Sequence, residues 1–350
     1  MIFFVLFYLP IVFSGWSVYD HHIYKDNIKF DFKGVNWYGF DTKARCLEGL
    51  MDNNLDFYFE KLKHYKFNSI RLPVSLELIL YDKEVVSNDL VSKEPRLFNK
   101  TPLEMVHGFF DAILPYEINV LIDIHRLRYG VSNPLWYIPN NHNYTEDLLI
   151  DGFNVIISKF KNYPIFLGID LYNEPHYIAD YGSENKTTDW KLFIEKSLQN
   201  FDLLFSNDLF LVFINGIDWG KNMSQFGNNL PIIPPSFSNQ IIYSPHLYGP
   251  ALTYFASLEK EYLYSVWDSL FGYLNDTVSI FIGEWGGKMS GRDKTWQDIF
   301  AQYLIYKNIR NNFYWALNPY SNDVGGLMAS WFEFDEDKLI LLDHVQQTPS

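Results

Sequence analysis

With 350 residues, 48% of them hydrophobic and 19% aromatic, the chain can bury one large core, and no linker, charge block or low-complexity tract divides it. A net charge of −14 argues against nucleic acid or any other polyanion as a partner, because such partners need a basic surface. The single cysteine, Cys46, excludes an intramolecular disulfide, so stability must come from packing.

Met1 to Phe13 are almost purely apolar and lead into Ser14 and Gly15. The run is too short for a membrane-spanning helix, which needs about 20 residues. It reads as the core of a secretory signal, cleaved after Ser14 or Ser17, although no Lys or Arg precedes it. The expected product is a secreted single domain over 18–350. Five glycosylation sequons, at Asn99, Asn143, Asn185, Asn222 and Asn275, are compatible with that route, but a chain this rich in Asn carries several by chance.

Eight strand-like segments follow: Phe32 to Trp37, Asn68 to Val74, Val120 to His125, Phe166 to Glu174, Leu209 to Asn215, Ile241 to Tyr248, Val278 to Glu284 and Phe313 to Leu317. Helical spacings separate several of them. Leu55, Phe59, Leu62 and Tyr65-Lys66 share a face, as do Met105, Phe109 and Ile113, then Phe153, Ile156-Ile157 and Phe160, and later Ile299, Tyr303, Tyr306 and Ile309. The Pro/Asn/Gly-rich stretch from Lys221 to Asn239 reads as a long loop. Eight alternations with strands buried on both faces predict an α/β fold, a (β/α)8 TIM barrel. An open doubly wound sheet fits less well, since no Gly-rich phosphate loop follows the first strand.

In such a barrel the carboxyl ends of all strands meet on one face. That face would gather Arg71, His125, Asn173, Glu174, His246, Tyr248, Glu284 and Trp315. Two of these stand out, because Gly168-Ile169-Asp170-Leu171-Tyr172-Asn173-Glu174 and Ile280-Phe281-Ile282-Gly283-Glu284 each end an apolar run in a glutamate. Two carboxyls from two strand ends are what cleavage of a glycosidic bond requires, one as proton donor and one as nucleophile or base. Each alone is an ordinary strand-to-loop turn; their company carries the reading.

Taken in order, Ile70-Arg71-Leu72-Pro73, Asp123-Ile124-His125, Asn173-Glu174-Pro175, His246-Leu247-Tyr248, Gly283-Glu284-Trp285-Gly286 and Trp315 resemble the pattern of the retaining glycosidases of glycoside hydrolase family 5. The likeness extends over nearly the whole mature length. Gly34-Val35-Asn36-Trp37-Tyr38-Gly39-Phe40, Trp136-Tyr137, and Asn318-Pro319 leading to Asp323-Val324-Gly325-Gly326 resemble its endo-β-1,4-glucanase branch. Trp285 departs from the phenylalanine more often found after the second glutamate.

The resemblance implies Glu174 as acid/base and Glu284 as nucleophile, with Arg71, His125, Asn173, His246, Tyr248 and the platform Trp315 in support. Trp37 and Trp136 are expected as supporting rings that stack on neighbouring sugars, although for them and for Trp219 a place in the core fits equally well, while Asp123 and Asp170 are expected to brace the barrel. No metal or other cofactor is implied, and the expected partner of a monomeric enzyme is a poly- or oligosaccharide. Other β-glycanases of the family (mannanase, xyloglucanase, exo-glucosidase) would share the same set. A non-catalytic glycan-binding barrel is opposed by the intact pair of glutamates. A metal-dependent hydrolase on this fold should carry His-x-His after the first strand, where Asn36-Trp37-Tyr38 stands.

Overall fold

The computed structural model describes residues 15–321 and 324–346. The leader up to Ser14, and Asp323, lie outside the described residues. The barrel strands are β1 (Lys33–Asn36), β2 (Ser69–Ser75), β3 (Asn119–Arg126), β4 (Phe166–Asp170), β5 (Leu211–Ile214), β6 in two pieces (Ile241–Tyr243 and His246–Tyr248), β7 (Ile282–Gly286) and β8 (Asn312–Tyr314). Each pairs in parallel with the next, and β8 returns to β1 with Tyr314 opposite Val35. The expected (β/α)8 barrel is what the chain forms.

Two strands depart from their sequence reading for local reasons. The fourth leaves the ladder after Asp170, so Leu171 to Glu174 continue as irregular chain. The sixth breaks at Ser244-Pro245, where proline has no N–H to give the ladder. Its second piece nevertheless regains register, with His246 opposite Glu284.

Helices pack around the strands, and their caps explain where they start. Thr101 and Glu104 form a reciprocal capping box for Pro102–Ile113, and Thr145 accepts the Leu148 N–H to start Glu146–Phe160. The predicted faces at Leu55/Phe59/Leu62, Met105/Phe109/Ile113 and Phe153/Ile156/Phe160 are the buried ones. In Gly291–Tyr306 the buried stripe is instead Trp296, Phe300, Tyr303 and Leu304, and Tyr306 faces solvent. The Lys221–Asn239 segment is a loop with two short 3-10 turns, Gly227–Asn229 and Pro235–Phe237.

Several elements have no counterpart in the sequence reading, among them the helices Trp190–Phe205, Lys260–Leu270 and Glu336–Gln346 and the segment that closes the barrel floor. Residues 16–29 form a three-stranded antiparallel meander across the amino end of the barrel. Its Trp16 is buried and donates Nε1–H to the Phe166 carbonyl at 3.0 Å. With Phe32, Leu121, Phe213, Phe281 and Phe313 it seals that end with apolar side chains.

Candidate active site

Register brings the polar strand ends level with one another. Asn36 lies opposite Arg71, Asp123 opposite Asp170, and His246 opposite Glu284. Side chains two residues apart on a strand share a face, so these positions look into the same upper barrel mouth.

Arg71 is wholly buried at its centre. Its Nε and Nη2 hold Asp170 Oδ2 at 3.0 Å, Nη2 also meets Asp123 Oδ2 at 3.1 Å, and Nη1 donates to Glu284 Oε1 at 2.5 Å. The remaining donors reach Asn36 Oδ1 and Asn173 Oδ1, both at 3.0 Å. Burial opposes the guanidinium charge, but Asp123, Asp170 and Glu284 outweigh it and hold the group firmly protonated. The expectation that Asp123 and Asp170 brace the barrel fits these contacts. Burial pushes both carboxyls up to about 7 against the pull of Arg71.

The two glutamates stand in different surroundings. Glu284 is buried; one oxygen takes the Arg71 cation and the other the Tyr248 hydroxyl at 2.7 Å. Burial raises its carboxyl, while Arg71 and the Tyr248 hydrogen bond pull back. Glu174 keeps 19% of its side chain exposed, and its Oε1 lies 3.0 Å from His246 Nδ1. Burial and the neighbouring Glu284 charge raise it well above the usual carboxylate range. Burial, then Arg71 and His125, hold His246 well below its usual value, so it faces Glu174 as a neutral ring. Arg71 faces three carboxyls at once, whereas Glu174 has no direct Arg71 contact to offset its burial.

His125 is tied by Nδ1 to Asp123 Oδ2 at 2.7 Å, leaving Nε2 toward Asn173 Nδ2 at 3.4 Å. Burial lowers it to about 4, so it too is neutral. Trp315 lies flat over it, with ring centroids 5.3 Å apart and planes 14° apart, and Tyr38 stacks against the same indole at 5.6 Å. The structure thus brings Arg71, His125, Asn173, Glu174, His246, Tyr248, Glu284 and Trp315 into one mouth.

Two expected rings are not there. Trp37 is fully buried against Tyr58 and Phe109, and Trp136 against Trp190 and Phe193. Their indole N–H groups are spent on the Glu48 carbonyl and on Glu146, so both are core side chains rather than sugar-binding ones. Trp219 is not a core ring. It is 38% exposed, stacks on His176 at 4.9 Å, and with Tyr254 lines a cavity of about 560 Å³ beside Glu174. Sequence reasoning did not assign Asn36 and Tyr38 to the site, although both sit in the Asn36-Trp37-Tyr38 stretch it singled out.

Glu174, His246 and Glu284 offer ligand atoms all within 4.8 Å of one another, so they are the candidate cation-binding group among the described residues. The Arg71 cation already on Glu284 opposes a second positive charge there. The arrangement is better suited to moving a proton: burial raises both carboxyls, and Arg71 and Tyr248 restrain that rise at Glu284.

A TIM barrel that presents such a pair beside an aromatic-lined cavity is a barrel of the glycoside hydrolase class. The family model "Cellulase (glycosyl hydrolase family 5)" matches residues 28–321, and the chain belongs to that family. It is 29% identical over 337 residues to an endoglucanase of Paenibacillus polymyxa, spanning 90% of this chain and 83% of that one. It is 31% identical over 330 residues to the major extracellular endoglucanase of Xanthomonas campestris pv. campestris, spanning 89% of this chain and 66% of that one. The catalytic domain of the major endoglucanase from that organism superposes with a TM-score of 0.88 at 28% identity, covering 95% of this chain and 100% of the other. A cellotetraose complex of the endocellulase from Pyrococcus horikoshii gives 0.87 at 26% identity, covering 96% and 100%.

Proposed function

We propose that this chain is a secreted endo-β-1,4-glucanase that cleaves β-glucan by double displacement. Glu284 attacks the anomeric carbon while protonated Glu174 gives its proton to the departing glycosidic oxygen. Glu174, now ionised, takes a proton from water, which releases the sugar from Glu284 with net retention. Arg71 and Tyr248 keep the nucleophile charged. His125, Asn173 and Trp315 are assigned to the sugar ring bonded to Glu284.

The observation that carries this reading is the spacing of the glutamates. An oxygen of each lies within 4.8 Å of the other. Retaining enzymes hold their carboxyls about 5–5.5 Å apart, whereas inverting ones need about 6.5–9.5 Å to admit a water. The glucan substrate rests on the endoglucanase names of the relatives in Paenibacillus polymyxa and Xanthomonas campestris. Secretion rests on the apolar leader and on the extracellular name of one relative. Trp16 is a buried seal of the barrel, which favours cleavage after Ser14 over cleavage after Ser17.

The test measures new reducing ends from carboxymethyl-cellulose, galactomannan and xyloglucan, with the anomer first released followed by NMR. We expect cleavage of the glucan to a β-anomer, and a loss of roughly 10²–10⁴-fold in Glu174→Gln and in Glu284→Gln. An α-anomer, or activity undiminished in either variant, refutes the mechanism. Cleavage of mannan or xyloglucan alone keeps the mechanism and changes the substrate.

A further inference from the structure

Glu174 sits four residues past the end of its ladder, in the left-handed region at φ +55°. A residue with a Cβ disfavours that region and stays there only when its surroundings hold it. Two side chains hold the Glu174 main chain: His176 Nδ1 lies 2.6 Å from its carbonyl oxygen, and its N–H is taken by Asn215, the wholly buried residue directly after β5. Asn215 Oδ1 accepts the Glu174 N–H at 3.2 Å, and Asn215 Nδ2 donates to Asp170 Oδ1 at 2.8 Å. The other oxygen of Asp170 carries Arg71 Nε and Nη2, and Arg71 Nη1 carries Glu284. An unbroken line of hydrogen bonds therefore runs from the backbone of one glutamate to the carboxyl of the other. The Trp190 indole N–H fixes the Asn215 carbonyl at 2.9 Å, so the amide cannot drift along its strand end.

We propose that Asn215 is a positioning residue for proton donation, setting the height of the Glu174 carboxyl against the Arg71–Glu284 pair. The inference rests on the reading of Glu174 as acid/base. The side-chain amide supplies both halves of the contact at any pH, an acceptor for Glu174 and a donor for Asp170. Leucine offers neither, and aspartate would set a second carboxylate against Asp170. The contact places the proton donor directly and reaches Glu284 only through Asp170 and Arg71, whose own bond to Glu284 remains. Its loss should therefore be felt where the leaving group needs a proton, and only there.

The experiment compares kcat/KM, which reports formation of the glycosyl-enzyme, on cellotetraose and on 2,4-dinitrophenyl cellobioside, whose phenolate departs without acid help. Glu174→Gln is run as the reference. For Asn215→Ala we expect a fall of roughly 10²-fold on cellotetraose and a change within about threefold on the activated glycoside. The alkaline limb of the cellotetraose profile should shift while the acidic limb stays.

If Glu174→Gln slows both substrates alike, the acid/base reading itself fails, whatever Asn215 does. If Glu174→Gln splits them but Asn215→Ala slows both equally, or neither, Asn215 is only a packing residue and the proposal is overturned. Asn215→Asp decides the matter should the alanine variant not fold. Protonated at low pH, the new carboxyl can both accept from Glu174 and donate to Asp170. Its cellotetraose activity should approach wild type there and fall as pH rises, with the activated glycoside unaffected. An unchanged ratio of variant to wild type across pH also overturns the proposal.

Discussion

At the amino end of the barrel the interior is filled by Leu121, Phe213 and Phe313 together with Phe32, Phe281 and the Trp16 seal. Two residues further along the same strands stand Asp123, Asn215 and Trp315, which belong to the polar mouth. The step of two keeps each pair on one face of its strand, so a single layer separates an apolar packing from an ionic one. The lower layer needs only volume and shape, because its side chains carry no polar atom except the Trp16 N–H, which has a partner. The upper layer needs every donor placed, because an unpaired charge at that depth costs several kcal/mol. The same scaffold therefore tolerates change in opposite ways at its two ends: the floor responds in stability, the mouth in activity as well.

The largest effect should come from the centre of the mouth. Arg71→Met removes the cation from three carboxyls at once and should lower unfolding stability by about 3–5 kcal/mol, the cost of stranding a buried partner. It should also reduce glucan cleavage by roughly 10²–10³-fold or more, since the ionised form of Glu284 loses its counter-charge. Chemical denaturation and reducing-end assays read the two losses separately. Phe281→Ala gives the contrast. Its ring packs on Phe313 at 4.6 Å and Phe213 at 5.2 Å, and its removal should also cost about 3–5 kcal/mol. Well below its unfolding temperature, however, its kcat and KM should stay within about twofold of wild type, as for sites without shared partners. A large kcat loss in Phe281→Ala would mean that the floor and the mouth are coupled, and the comparison would fail.

This contrast also explains what could be read from the chain. Strands such as Val120 to His125 announce themselves by apolar runs, and the glutamates and their companions follow because barrel topology sends every strand end to one face. Trp37 and Trp136 misled because a tryptophan's position in sequence says nothing of which way its ring turns. Local packing against Tyr58 and Trp190 decided that. The meander over residues 16–29 was missed because its strands are two to four residues long and merge with the apolar leader. Tyr306 was assigned to a buried face because Ile299, Tyr303 and Tyr306 satisfy helical spacing, but the true stripe runs through Trp296 and Phe300. Asn215 closed a predicted strand in plain view. A neutral amide announces no chemistry until its two partners are seen.

The smallest change tests the electrostatic asymmetry of the mouth with one atom. Tyr248→Phe deletes the hydroxyl that donates to Glu284 Oε2 at 2.7 Å and leaves the Arg71 contact on the other oxygen. Burial already raises the Glu284 carboxyl, and this hydrogen bond is one of the restraints on that rise. A hydrogen bond to a charged group is worth about 1.5–3 kcal/mol, or roughly one to two pH units at 1.36 kcal/mol each. With Glu284 as the group that must be ionised, the acidic limb of kcat/KM should move up by that amount. The alkaline limb reports loss of the Glu174 proton, which burial and the Glu284 charge hold in place, so it should stay. The profile then narrows from the acidic side only, opposite to the side that Asn215→Ala should disturb. Movement of the alkaline limb in Tyr248→Phe would require the two glutamates to exchange roles.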